Sequence, residues 1–66
     1  MNVATLRMMA NQIARNLAAL GEEAAIAETA QHIRDFWDPR MKQAILQDDR
    51  TALEPIARAA LERLEK

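Results

Sequence analysis

Gly21 is the one glycine of this chain, and Pro39 and Pro55 are its only prolines. Everything between them reads as helix. Gly can take the left-handed conformation that ends a helix, and Pro fits the first helical turn but not a helix interior. Ala, Leu, Glu, Gln, Arg and Met, all strong helix formers, fill the intervals, and no stretch alternates as a strand would. The three breakers therefore predict four helical segments.

In the first, Leu6, Ala10, Ile13, Leu17 and Leu20 recur at spacings of four and three, one stripe of a helix over about 3–20. Met9 lies on its edge and Met8 on the opposite side, where a lone exposed Met is ordinary. In the second, over about 22–37, Ile26, Ala30, Ile33 and Trp37 form the stripe, and Glu22 and Glu23 suit the positive end of the helix dipole. Asp38 before Pro39 ends this helix and starts the next, with Asp38 as N-cap and Pro39 at the first helical position. The short third helix, about 39–47, turns Met41, Ala44 and Ile45 one way, and Leu46 departs from that face. Thr51 and Glu54 match a capping box for a fourth helix over about 52–65, with Leu53, Ala57, Ala60 and Leu64 as its stripe. Ile56 and Leu61 flank it. The expected fold is all-α, a small helical bundle of three longer helices and one short helix, in a single domain over 1–66.

Size limits what such a bundle does alone. At 66 residues, the core is expected to supply no more than about 3–5 kcal/mol net. No Cys is present, so disulfides and thiolate metal sites are excluded. A partner is the remaining staple, either another chain or a copy of itself in a homodimer. The net charge of −1 argues against nucleic-acid binding. No apolar run is long enough for a membrane, and the first residues lack the pattern of a signal peptide, so a cytoplasmic protein is expected.

Catalytic chemistry has little to work with. Ser and Cys are absent, and Thr5, Thr29 and Thr51 fall at helix starts or on a helix flank. Glu22-Glu23 and Asp48-Asp49 read as solvated helix-end charges. Glu28 and Asp35 flank His32 at helical spacing, but a zinc site there would lack a third and fourth ligand. A partly exposed His beside a carboxylate is the simpler reading.

The informative stretch is "DFWDPRM", Asp35 to Met41, which holds the only Phe and the only Trp. Successive helical residues are about 100° apart, so Phe36 and Trp37 cannot both face the middle of one stripe. Trp37 lies on the stripe and is expected inside. Phe36 lies on the flank beside His32. Arg40 falls in the first turn of the third helix, against its dipole, which costs about 0.3–1 kcal/mol unless a carboxylate offsets it. That carboxylate is either local, Asp35 or Asp38, or belongs to a partner. Trp, Phe, Met and Arg are the residues enriched at interfaces.

Two stretches carry a resemblance. "RMMANQIARN" and "HIRDFWDPRMKQAIL" resemble the delta subunit of cytoplasmic NAD-dependent formate dehydrogenase, which carries a "MANQIA" stretch and an "H-I-x-x-F-W-D-P-R-M" stretch. Here these are Met9 to Ala14 and His32 to Met41. Leu53, Pro55, Ala59 and Ala60 resemble a later "L-x-P" followed by alanines. The chain departs from that family at Asn16 and Leu17, where members often carry aromatics, and at Asp48-Asp49-Arg50, where many have a Gly-rich joint. The resemblance implies an accessory subunit, no enzyme by itself, that serves assembly, stability or maturation of the complex. It implies larger partner subunits that carry a molybdenum or tungsten pterin, iron–sulfur clusters, FMN and NAD, with none of these on this chain. The residues expected to meet the partner are Phe36, Trp37, Asp38, Pro39, Arg40 and Met41. A self-associating bundle or adaptor unrelated to formate is the second reading. A DNA-binding helix-turn-helix is the third, and its recognition helix would offer only Arg40 and Lys42.

Overall fold

The computed structural model describes residues 2–65. Four helices follow in order, α1 (Val3–Leu17), α2 (Glu22–Phe36), α3 (Pro39–Gln47) and α4 (Pro55–Glu65), with no strand among the described residues. Short 3-10 turns, Ala18–Leu20 and Arg50–Ala52, close α1 and precede α4. The all-α bundle of three longer helices and one shorter one is what the apolar spacing predicts.

The breakers act where they were expected. Gly21 has φ 98° and ψ 154°, a backbone region open to glycine and strained for other residues. No atom crowds the position where its Cβ would stand, so the requirement is one of backbone conformation. Asp38 caps α3, its carboxylate accepting the Met41 N–H at 2.9 Å, and Pro39 opens the helix.

The helix ends differ from expectation in three places. The last turn of α1 tightens to 3-10 at Ala18, which leaves Leu20 56% exposed and off the core. α2 ends at Phe36, and Trp37 is already extended, one residue ahead of Asp38, which Pro39 bars from the helical region. The Thr51–Glu54 capping box does not form. Asp49 accepts the Thr51 N–H at 2.9 Å and pulls 50–52 into its own turn, so α4 starts at Pro55.

The core joins all four helices. Leu6, Ala10 and Ala14 of α1 meet Ile33 and Trp37 from α2, Ile45 of α3, and Leu53, Ala57 and Leu61 around α4. Met41, Ala44, Leu46, Ile56 and Leu64 pack against this cluster from its edges. α2 and α4 form the most extensive helix pair, and most of the buried residues on the two helices are small, Ala25, Thr29 and Ala30 on α2 and Ala57 and Ala60 on α4. Small side chains let two helix backbones come close, which is how 64 described residues fit within 30 × 20 × 18 Å. Thr29, read from sequence as a flank residue, is fully buried, and its Oγ1 has no hydrogen-bond partner among the described residues.

Candidate partner-docking site

The "FWDPRM" corner is the joint between α2 and α3. Trp37 is 5% exposed and sits in the core with Ile33 and Ile45. Its backbone N–H still bonds to the Ile33 carbonyl at 3.1 Å, so the ring is placed by the last turn of α2 although the chain has left the helix. Phe36, one residue earlier, is 74% exposed. Its ring lies against the exposed His32 imidazole, with centroids 4.8 Å apart and planes tilted by 36°. The two aromatics thus divide as the 100° step requires, one inside and one outside.

The joint is rigid for electrostatic reasons as well. Asp38 satisfies an N–H at the start of α3, and the Lys42 ammonium reaches back to the Arg34 carbonyl at 2.9 Å, near the negative end of α2. Met41 is half-buried and packs on the core. Asp35 accepts from the Gln31 amide at 2.7 Å, and the other end of that amide accepts from Arg34 at 3.2 Å.

Arg40 stands apart. Arg7, Arg15, Arg34, Lys42, Arg50, Arg58 and Arg63 each donate to a carboxylate, an amide or a backbone carbonyl. Among the described residues Arg40 alone of the basic side chains makes neither an ion pair nor a hydrogen bond. The local pair with Asp35 or Asp38 does not form; Asp35 accepts from Gln31 and Asp38 from the Met41 N–H instead. Among the described residues no carboxylate holds His32 either; its neighbour is the Phe36 ring. The corner therefore presents an exposed aromatic platform on α2 and an unpaired guanidinium at the start of α3, on a buried Trp.

A second polar array escaped the reading of the sequence. Arg7, Asn11 and Arg15 follow each other at four-residue spacing and form a row along α1 beside its apolar stripe. All three reach the 48–54 joint. Arg7 Nε donates to Asp48 at 2.5 Å, Asn11 Oδ1 accepts the Glu54 N–H at 2.9 Å, and Arg15 Nε donates to Glu54 at 2.6 Å. The Asn11 amide also donates to the Ala52 carbonyl at 3.3 Å. A cleft of about 270 Å³ lies beside the Arg15–Glu54 pair, edged by Glu22 and Ile56. The signal for the row was the i, i+4, i+8 spacing within and around "MANQIA".

The chemistry of the rest of the surface is plain. No group of three or more His, Asp or Glu residues converges to hold a metal among the described residues. No helix of the described residues is long and apolar enough to cross a membrane. The family model described as NADH-dependant formate dehydrogenase delta subunit FdsD matches residues 5–61. No curated protein and no solved structure is significantly similar to the chain.

Proposed function

Since the chain belongs to the FdsD family of NADH-dependent formate dehydrogenase delta subunits, we propose that it is a non-catalytic accessory subunit. It serves assembly, stability or maturation of the complex through contacts made by its helices. The larger subunits are its partners, and the complex is cytoplasmic. Phe36 and Arg40 form the contact surface, Asp38, Pro39 and Met41 set the start of α3 that carries Arg40, and Trp37 anchors the corner from inside.

The observation that carries this reading is the unpaired Arg40. A guanidinium in the first turn of a helix opposes the dipole, and no carboxylate among the described residues pairs with it. Arg is enriched at interfaces because its planar fork pairs a carboxylate at two points. Phe36, four residues earlier across the α2–α3 joint, supplies exposed apolar area that the bundle does not use.

The cofactors implied for the complex, a molybdenum or tungsten pterin, iron–sulfur clusters, FMN and NAD, belong to the larger subunits. This chain does not fit them. It has no Cys for a cluster, one His, and a single Gly where a phosphate-binding loop needs several.

Affinity capture tests the reading. Tagged wild-type chain, co-expressed with the larger formate dehydrogenase subunits, is expected to recover them. Arg40→Glu is expected to melt like wild type and to recover much less, because it reverses a charge where a carboxylate is expected. Equal recovery by Arg40→Glu would make the corner purely structural. A homodimer with no larger subunit bound would favour the self-associating bundle.

A further inference from the structure

The outer face of α3 carries an open groove of about 640 Å³. Lys42, Gln43, Leu46 and Gln47 line it from α3 and Leu64 from α4, with Pro39 at its end. Leu46 and Leu64 are half-buried and apolar; Gln43 and Gln47 are exposed. Apolar centre and polar rim are the anatomy of a protein contact. Arg40 precedes Gln43 by three residues and Gln47 by seven, so helical spacing puts all three along one edge of α3. Two cations flank the groove, Arg40 along this edge and Lys42 on the other side of α3, against the carboxylate of Asp38 at the helix start. Arg40 is unpaired among the described residues, Lys42 is held only by a backbone carbonyl, and Glu65, also at the groove, is already paired with Arg50.

We infer that this groove seats an acidic, amphipathic segment of a larger formate dehydrogenase subunit. Its apolar side chains rest on Leu46 and Leu64, and a carboxylate beside them pairs with Arg40. The inference rests on the accessory-subunit reading and extends the contact from the Phe36 platform onto α3. A basic segment would meet Arg40 and Lys42 with like charge. A second copy of this chain would bring its own unpaired Arg40 to the same interface.

The chain has no Cys, so one can be placed at will. Gln43→Cys on the groove and Ala27→Cys on α2, both exposed positions, are labelled with benzophenone maleimide, mixed with the larger subunits and irradiated. Gln43→Cys is expected to cross-link into a segment of a larger subunit that carries Asp or Glu next to apolar residues. Ala27→Cys is expected not to cross-link. Adding Arg40→Glu to Gln43→Cys is expected to lower the yield about tenfold or more, the consequence of losing one charged hydrogen bond, whereas Arg40→Lys retains most of it. Cross-links between two copies of this chain, equal cross-linking from Ala27→Cys, or a basic target segment would each overturn the groove. Capture of the larger subunits without any cross-link from Gln43→Cys would overturn the groove alone. No binding of the wild-type chain to those subunits would overturn the accessory-subunit reading, and the groove with it.

Discussion

Asn11 of α1 and Glu54, 43 residues later, share a hydrogen bond of 2.9 Å in which the Asn11 amide oxygen accepts the Glu54 backbone N–H. Glu54 in turn supplies the carbonyl that accepts the Arg58 N–H at 2.9 Å, the first turn of α4. A side chain from α1 therefore does for the α4 approach what the Thr51–Glu54 box does not.

Removing that acceptor leaves a partly buried N–H without a partner. Asn11→Ala is expected to cost about 1–2 kcal/mol. Asn11→Asp keeps the acceptor for the Glu54 N–H but turns a carboxylate oxygen toward the Ala52 carbonyl, a repulsion that Arg7 and Arg15 on the same row offset in part, and is expected to cost less than Asn11→Ala. Urea melts of the three proteins check the order.

Thr29 offers the opposite test. Its hydroxyl is buried on α2 without a partner among the described residues. An unsatisfied buried hydroxyl costs about 1–3 kcal/mol, and an apolar group of the same shape removes the cost. Thr29→Val is therefore expected to raise Tm by several degrees, since about 1 kcal/mol moves a domain of this size by about 4–8 °C. An unchanged or lower Tm would mean that the hydroxyl has a partner in solution.

Much of this was legible because helix formation in so short a chain is decided locally. The 3.6-residue period placed Trp37 inside and Phe36 outside, and the Asp38-Pro39 pair carries its capping chemistry in two adjacent letters. What escaped depends on distant segments. Leu20 belonged to the α1 stripe by spacing, but the 3-10 turn rotates it out. The capping box at Thr51 lost to Asp49, two residues earlier, and to Asn11 across the fold. Ala14 and Thr29 lie at four-residue spacing from Ala10 and Ile33, but a small or polar side chain carries too little apolar signal for that period to mark them as core. At the candidate site, spacing alone leaves Asp35 and Asp38 as partners for Arg40, and only the side-chain positions show both accepting from other donors with Arg40 unpaired.

Asp49 gives the fold a pH dependence. The Thr51 N–H, and then its hydroxyl, hold the Asp49 carboxyl below its ordinary value, with Arg7 adding to the effect. A carboxylate whose folded pKa is depressed stabilises the fold above its unfolded pKa, and that stability is lost as pH falls through the folded value. Thermal melts are expected to hold steady near neutrality and to drop below about pH 4. Asp49→Asn is expected to flatten part of that drop, because its amide oxygen accepts the Thr51 N–H at any pH. A wild-type profile identical to that of Asp49→Asn would remove Asp49 as a source of the acid sensitivity.

The two aromatic residues predict opposite consequences for neighbouring substitutions. Trp37 is in the core and Phe36 is 74% exposed. Truncating a buried Trp costs about 3–5 kcal/mol, which is about all that a core of this size supplies. Trp37→Ala is therefore expected to be largely unfolded at 25 °C, with a weak, broad melt by circular dichroism. Phe36→Ala gives up an exposed ring and its contact with His32. Its effect on stability is expected to stay within about 0.5 kcal/mol, as for surface changes generally. Trp37 emission is expected to be unchanged in it, because the indole keeps its buried surroundings. Capture of the larger subunits separates the pair further. Phe36→Ala is folded and is expected to recover less than wild type, whereas His32→Ala, which removes the neighbour and keeps the ring, is expected to recover nearly as much. Should Phe36→Ala melt as low as Trp37→Ala, the outer ring belongs to the core in solution and the docking surface reduces to Arg40. Should it melt and capture like wild type, the corner's exposed aromatic takes no part in binding.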